Sequence, residues 1–260
     1  MAKSFLDNLF GLDNRVVIVT GGGGCLGRAM ALGLAQSGAK IAIVDISNEK
    51  VQEVVHEIKN LNGIAKGYHV NVADSASVNQ MVDKVFQDFG HIDILLNSAG
   101  VSVHKPAQEM TDDDWSRVIK INLDGTFFCC RAAGMHMINQ RKGSIINIAS
   151  MSGTIVNKDN FNAPYCASKG GVKMLTKQLA EQWARYNIRV NSISPGYMRT
   201  SLSLPIIDKP DFKKYIESES PMKRAGFPEE LTGLAIYMAS DASSFLTGQD
   251  VIIDGGWTIL

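Results

Sequence analysis

Apolar runs and amphipathic stretches alternate along most of the chain. Residues 15–20 form a short, β-branched apolar run that ends in four glycines, Gly21 to Gly24. A helical pattern follows, with Leu26, Met30, Ala31 and Leu34 on one stripe and Gly38 closing it. A second apolar run, residues 40–44, ends at Asp45. The same rhythm predicts further strands over residues 64–70, 92–97, 144–148, 188–193 and 251–254. Helices are predicted over residues 51–61, from the Asp74-Ser75 cap to Phe89, over 115–140 with a break near Asp124-Gly125, over 163–186, and from Pro228. Several of the strands are continuously apolar, as strands covered on both faces are. The fold class predicted is α/β: a doubly wound parallel sheet with helices on both faces, one domain over residues 1–260.

Composition narrows the partners. The chain has 260 residues, 45% of them hydrophobic, enough for a sizeable core. Lysine plus arginine and aspartate plus glutamate number 26 each, so nothing points to nucleic acid or an anionic membrane. The clusters Lys213-Lys214 and Lys223-Arg224 read as solvated surface. Cys25, Cys129, Cys130 and Cys166 form no Cys-x-x-Cys pair, and the scattered histidines add no ligand spacing. No metal site is expected, and free thiols suit a cytoplasmic protein. The N-terminus carries Asp7 and no long apolar core, which argues against a signal peptide, and no run of about 18 apolar residues predicts a membrane span.

Two stretches carry candidate chemistry. The first is strand, glycine turn, helix, strand, acid. Glycines at a helix N-terminus let backbone N–H groups approach a pyrophosphate, and Asp45 lies near the roughly 20-residue distance of a dinucleotide fingerprint. Its carboxylate would accept hydrogen bonds from ribose hydroxyls and repel a 2′-phosphate, and Ile46 follows it, so NAD is expected rather than NADP. A flexible turn is the plainer reading of the glycines. The second stretch is Tyr165-Cys166-Ala167-Ser168-Lys169, which puts a phenol and an ammonium on one helical face. A nearby ammonium is expected to lower the phenol's pKa towards neutrality. The alternative is an ordinary surface pair, and Cys166 reads as a packed thiol as readily as a nucleophile.

Together these stretches resemble the short-chain dehydrogenase/reductase family, over essentially the whole chain. Thr20-Gly21-x-x-x-Cys25-Leu26-Gly27 is similar to its Thr-Gly-x-x-x-Gly-x-Gly, and Asn97-Ser98-Ala99-Gly100 to its Asn-Asn-Ala-Gly. Pro195-Gly196 with Thr200, and the closing Asp254-Gly255-Gly256-Trp257, complete the set. The resemblance implies a Rossmann-type fold and a catalytic tetrad of Asn122, Ser150, Tyr165 and Lys169. It implies cofactor contacts at Gly21, Gly24, Cys25, Leu26, Gly27, Asp45, Ile46, Asn71, Val72, Asn97, Ala99, Gly100, Tyr165, Lys169, Pro195, Gly196, Met198 and Thr200. In the roles it implies, Tyr165 handles the proton, Ser150 holds the substrate oxygen, Lys169 serves the phenol and the nicotinamide ribose, and Asn122 holds a water. Ser152 is a rival donor to Ser150, and Asn122 could be a structural amide. Two departures stand out: Cys25 replaces a glycine, and Asn71 stands where an aspartate often meets the adenine.

Residues 197–223 contain three prolines and the apolar patches Leu202-Ser203-Leu204 and Phe212, and they interrupt the βα rhythm where substrate should enter. They read as a mobile substrate lid. Ser152, Asn157, His104 and Trp257 would give a mixed polar rim suited to a hydroxylated small molecule, although His104 has no assigned role. The pattern is most similar to the sugar and polyol branch, with gluconate 5-dehydrogenase-like enzymes nearest. Reduction of hydroxysteroid-type or 3-oxoacyl thioester carbonyls is the alternative, followed by a non-catalytic dinucleotide binder. The resemblance implies a homotetramer, with Trp257-Thr258-Ile259-Leu260 buried in a contact.

Overall fold

In the computed structural model the described residues are 4–156, 158, 161–201 and 203–259. Asn157, Leu202 and Leu260, expected in the rim, the lid and the tail, lie outside them. The elements are, in order, α1 (Phe5–Phe10), β1 (Val16–Thr20), α2 (Cys25–Gln36), β2 (Lys40–Asp45), α3 (Asn48–Asn60), β3 (Ile64–His69), α4 (Ser75–Phe89) and β4 (Ile94–Asn97). Then come α5 (Asp112–Ile119), α6 (Gly125–Gln140), β5 (Gly143–Ile148), α7 (Ala163–Trp183), β6 (Ile188–Pro195), α8 (Leu204–Ile207), α9 (Pro210–Glu219), α10 (Thr232–Ala239) and β7 (Asp250–Ile253).

The strands form one parallel sheet in the order β3-β2-β1-β4-β5-β6-β7. Alternation along each strand divides the core in two. Val17 and Val19 of β1 face Met30 and Leu34 of α2, Val51 and Ile58 of α3 and Met238 of α10. Val16 and Ile18 face the other way, towards Val78 and Val85 of α4, Met137 of α6 and Leu179 of α7. The helices follow from their stripes and caps: α4 buries Val78, Met81, Val82 and Val85, begins at Asp74, and ends at Gly90 with φ 85°.

The long helix predicted over residues 115–140 does not break near Asp124. A π-helical turn, Lys120–Asp124, joins α5 to α6 instead. Gly125 then packs against Val72, where an added Cβ would come within 3.0 Å of that side chain. Asp254, predicted in the last strand, leaves the ladder because its carboxylate accepts from Gly256 N (2.9 Å) and Thr258 N (2.8 Å). The short helix α1 has no counterpart among the predicted elements. Among the described residues no helix is long and apolar enough to cross a membrane, and no group of three or more His, Cys, Asp or Glu could hold a metal ion.

Candidate active site

The strand order reverses between β1 and β4, and a cleft opens beyond the carboxyl ends of the strands there. The glycine turn forms its floor. Gly21 has φ +62°, and a Cβ on it would lie 2.6 Å from Ala99 N; a Cβ on Gly27 would lie 2.3 Å from Gly21 O. These contacts bring α2 and the turn after β4 directly against backbone, leaving a cradle that side chains would fill. Gly24 caps α2 without any side-chain hydrogen bond, so the helix presents free N–H groups to an anion. Asp45, ending β2, accepts from Gly23 N (3.1 Å) and Ser47 N (3.0 Å). The carboxylate is thus fixed beside the turn. The residues present therefore fit a dinucleotide.

Cys25 opens α2 and lines the cleft. Its thiol accepts from Ser201 N (3.3 Å) and lies 3.5 Å from Ser201 Oγ, joining the turn to the lid segment. Burial raises its pKa, but the hydrogen bonds from Ser201 outweigh that, and the net direction is down.

The second half of the site comes from β5 and α7. Ser150 follows β5 and caps a short 3-10 turn, Met151–Gly153, accepting from Ser152 N (3.1 Å). A Cβ on Gly153 would lie 2.8 Å from the Lys169 carbonyl carbon, so this turn rests on the α7 backbone. That contact brings the Ser150 hydroxyl into hydrogen bonding with the Tyr165 phenol. Lys169 lies one turn along α7, buried, its Nζ donating to Ile148 O (2.6 Å) and standing 5.6 Å from the centre of the Tyr165 ring. Burial dominates both groups. It raises the phenol's pKa, which the Ser150 hydrogen bond only partly offsets and Cys166 adds to, and it pushes Lys169 down to about 8. The lowering of Tyr165 expected from Lys169 is therefore not the net direction here; withdrawal from water prevails.

Asn122 sits fully buried in the π turn. Its side chain accepts from Val101 N (2.8 Å) and donates to Val101 O (2.9 Å) and Ser168 Oγ (3.1 Å). The amide is committed to pinning the loop after β4 to α7, so a water on this residue would need its backbone carbonyl, which also accepts from Thr126 Oγ1 (2.7 Å).

The cleft encloses about 860 Å³. Gly21, Gly24, Cys25, Leu26, Gly27, Gly100, Ser150, Tyr165, Lys169, Pro195, Gly196, Met198 and Thr200 all line it. Asp45, Ile46, Asn71, Val72, Asn97, Ala99 and Asn122 do not. The first four lie at the ends of β2 and β3, where Asn71 Oδ1 accepts from Ala73 N (3.0 Å) and Ile46 is exposed. The side chain of Asn97 is turned into the sheet: its Nδ2 donates to Asn147 Oδ1 (2.9 Å), and Asn147 Nδ2 donates to Thr176 Oγ1 (2.9 Å). Ser152 and His104 also line the cleft; Trp257 does not, and its ring stands 5.0 Å from that of the lining residue Tyr197.

The family model described as Enoyl-(Acyl carrier protein) reductase matches residues 23–258. The D-threitol dehydrogenase of Mycolicibacterium smegmatis is 40% identical over 253 residues, covering 96% of this chain and 95% of that protein. The chain belongs to the short-chain dehydrogenase/reductase family. The 5-keto-D-gluconate 5-reductase of Escherichia coli is another relative, 34% identical over 254 residues with 98% and 99% covered. Among solved structures, a gluconate 5-dehydrogenase from Burkholderia cenocepacia in complex with NADP and tartrate superposes with a TM-score of 0.94. It is 37% identical and covers 98% of this chain and 99% of its own.

This short-chain dehydrogenase/reductase is thus an oxidoreductase. Sequence reasoning passed over part of its site. The Asn97–Asn147–Thr176 chain ties β4, β5 and α7 together beneath the tetrad. Its one sequence signal was an asparagine inside the apolar run Ile145-Ile146-Asn147-Ile148. Arg117, Phe161 and Asn162 also line the cleft, from a helix and a loop that carry no motif, and Lys209 and Phe212 line it from the lid segment.

Proposed function

We propose that the protein interconverts a secondary alcohol and a ketone on a sugar, polyol or sugar acid, with NAD as cofactor. The observation that carries this reading is the Ser150–Tyr165 hydrogen bond beside buried Lys169, in one cleft with the glycine cradle. The sugar and polyol relatives support the substrate class.

The dinucleotide, when bound, supplies or receives the hydride. The residues that would hold it are Gly21, Gly24, Cys25, Leu26 and Gly27 at the turn, Asp45 and Ile46 after β2, Asn71 and Val72 after β3, Asn97, Ala99 and Gly100 after β4, and Pro195, Gly196, Met198 and Thr200 after β6. Ser150 holds the substrate oxygen through its hydroxyl. Tyr165 gives its phenolic proton to a ketone oxygen, or as phenolate takes one from an alcohol. Lys169 keeps a positive charge near the phenolate and would hold the nicotinamide ribose of a bound dinucleotide. Asn122 fixes the loop that closes this side. Residues 197–223 act as the lid; its helices α8 and α9 pack through Tyr197, Phe212, Ile207, Ile216 and Trp257. The whole chain serves as one dinucleotide-binding domain.

Turnover of a panel of polyols, aldonates, hydroxysteroids and acyl thioesters with NAD tests the substrate class; activity confined to the last two would remove it. Cofactor choice rests on Asp45, since a carboxylate fixed at the end of β2 accepts from ribose hydroxyls and repels a 2′-phosphate. Asp45→Ser is expected to lower kcat/KM with NAD by about tenfold or more while improving relative use of NADP. A wild-type enzyme faster with NADPH than with NADH would refute the assignment.

We also propose a cytoplasmic homotetramer. Phe127 and Met135 on α6, Met174 on α7, and Phe245 and Ile259 near the C-terminus are large apolar side chains left exposed on the single chain. Light scattering that returned a monomer would exclude the assembly.

A further inference from the structure

We infer that Arg117 recognises an anionic group in the substrate half of the cleft, and that the preferred substrate is a sugar acid bearing one carboxylate rather than a neutral polyol. The inference rests on the alcohol–ketone reading above and narrows it.

Among the described residues, Arg117 is the only arginine whose guanidinium has no hydrogen bond or ion pair. Arg15, Arg28, Arg199 and Arg224 are paired with carboxylates, and Arg131, Arg141, Arg185 and Arg189 donate to hydroxyl or carbonyl oxygens. The one left over lines the cleft.

Its neighbours explain why it stays free. Asp113 and Asp114 precede Arg117 by four and three positions on α5; Asp114 is committed elsewhere, and Asp113 makes no ion pair with the guanidinium. Asp114 takes the Lys105 ammonium at 2.6 Å and accepts from Thr111 N at 3.2 Å, and its pKa is held down at about 2. Lys105 is in turn fixed, its N donating to Phe161 O (2.8 Å), so the loop after β4 is braced against the wall that carries Phe161 and Asn162. On the lid side the cleft also has Lys209, without a side-chain partner, and Asp211. Arg117 is thus left as a cleft-lining guanidinium that no carboxylate pairs with.

A monoanion matches it. A guanidinium offers parallel N–H donors spaced for the two oxygens of a carboxylate, and Arg117, on a helix, is held more firmly than a loop cation would be. A polyol would leave the guanidinium without a partner of opposite sign.

The test compares an aldonate, the alditol of the same length and configuration, and that alditol's phosphate as substrates, with wild type, Arg117→Gln and Arg117→Lys. Wild type is expected to prefer the aldonate to the alditol by about tenfold or more in kcat/KM, with a KM for the aldonate that rises with ionic strength. Arg117→Gln is expected to raise the aldonate KM about tenfold or more and leave alditol turnover within about threefold; Arg117→Lys should recover part of the loss. Circular dichroism and the thermal midpoint show whether each variant is folded. Equal or better turnover of the neutral alditol, a preference for the phosphate, or an equal loss on both substrates in Arg117→Gln would overturn the inference and leave the alcohol–ketone reading standing. Turnover of none of these compounds would overturn both.

Discussion

Tyr165→Phe is expected to lower kcat/KM by about a hundred- to ten-thousandfold in both directions, the range a positioned general acid or base contributes. The exchange removes one oxygen and leaves the ring, so packing at the start of α7 is preserved. Ser150 keeps its contact with Ser152 N, and Lys169 keeps Ile148 O. Cofactor affinity, read by fluorescence titration, should change by less than about threefold, because only the proton carrier is lost. Unchanged turnover would remove Tyr165 from the chemistry. The pH dependence of the wild type has a defined sign. Burial raises the Tyr165 phenol, so the acid form needed for ketone reduction persists through neutrality, whereas the phenolate needed for alcohol oxidation grows as pH rises. Lys169, pushed down to about 8, loses its charge as pH climbs through that value. Reduction should therefore be flat through neutrality and fall above about pH 8, while oxidation rises on the alkaline side. Tyr165→Phe should lose the alkaline rise in oxidation, which the phenolate sets.

What could be read from the sequence, and what could not, divides along a physical line. The cofactor half is local: strand, turn, helix and acid lie within residues 16–45, and their spacing already contains the geometry that Gly21, Gly27 and Asp45 adopt. The Tyr165 and Lys169 positions are local too, because helical periodicity puts them on one face. The direction of their pKa shifts is not local. It depends on how much water the fold removes, and no spacing encodes that. The Asn97–Asn147 contact arises because the β4–β5 register sets those residues opposite each other. Arg117 belongs to no motif for a related reason: its meaning lies in the absence of a partner, which no local spacing shows.

Site and fold are held by the same contacts. The amide chain through Asn97, Asn147 and Thr176 crosses from β4 through β5 to α7, and Asn122 adds a second tie from the loop after β4 to α7. Each buried amide has its partners, so the ladder fixes α7 against the sheet without leaving polar groups unpaired. That rigidity sets the height of Tyr165 over the strand ends. Sequence motifs name the residues that touch reactants, and these inner amides decide where those residues stand.

Gly27→Ala shows how close the cofactor turn comes to the limit of packing. On helix propensity alone the change should help, by roughly 0.8–1 kcal/mol in an exposed helix interior. Gly27 is buried, and its added Cβ would lie 2.3 Å from Gly21 O, 2.9 Å from Gly21 C and 3.1 Å from Gly22 Cα. These are backbone atoms and cannot rotate aside. Gly21 is held by its positive φ, Gly22 N by Val44 O (3.0 Å), and Gly24 N by Gly21 O (3.0 Å). Relief must come from moving α2 away from β1, at a cost of about 1–3 kcal/mol for overpacking, which outweighs the propensity gain. The thermal midpoint should fall by several degrees. Dinucleotide affinity should fall further, by about tenfold or more, because the shift tilts the free N–H groups at the start of α2 that would face the pyrophosphate. Gly233→Ala is the control: nothing lies within 4 Å of the Cβ it would add on α10, so both quantities should stay near wild type. If Gly27→Ala bound NAD as the wild type does while Gly233→Ala weakened it, the cradle would have to be sought elsewhere in the chain.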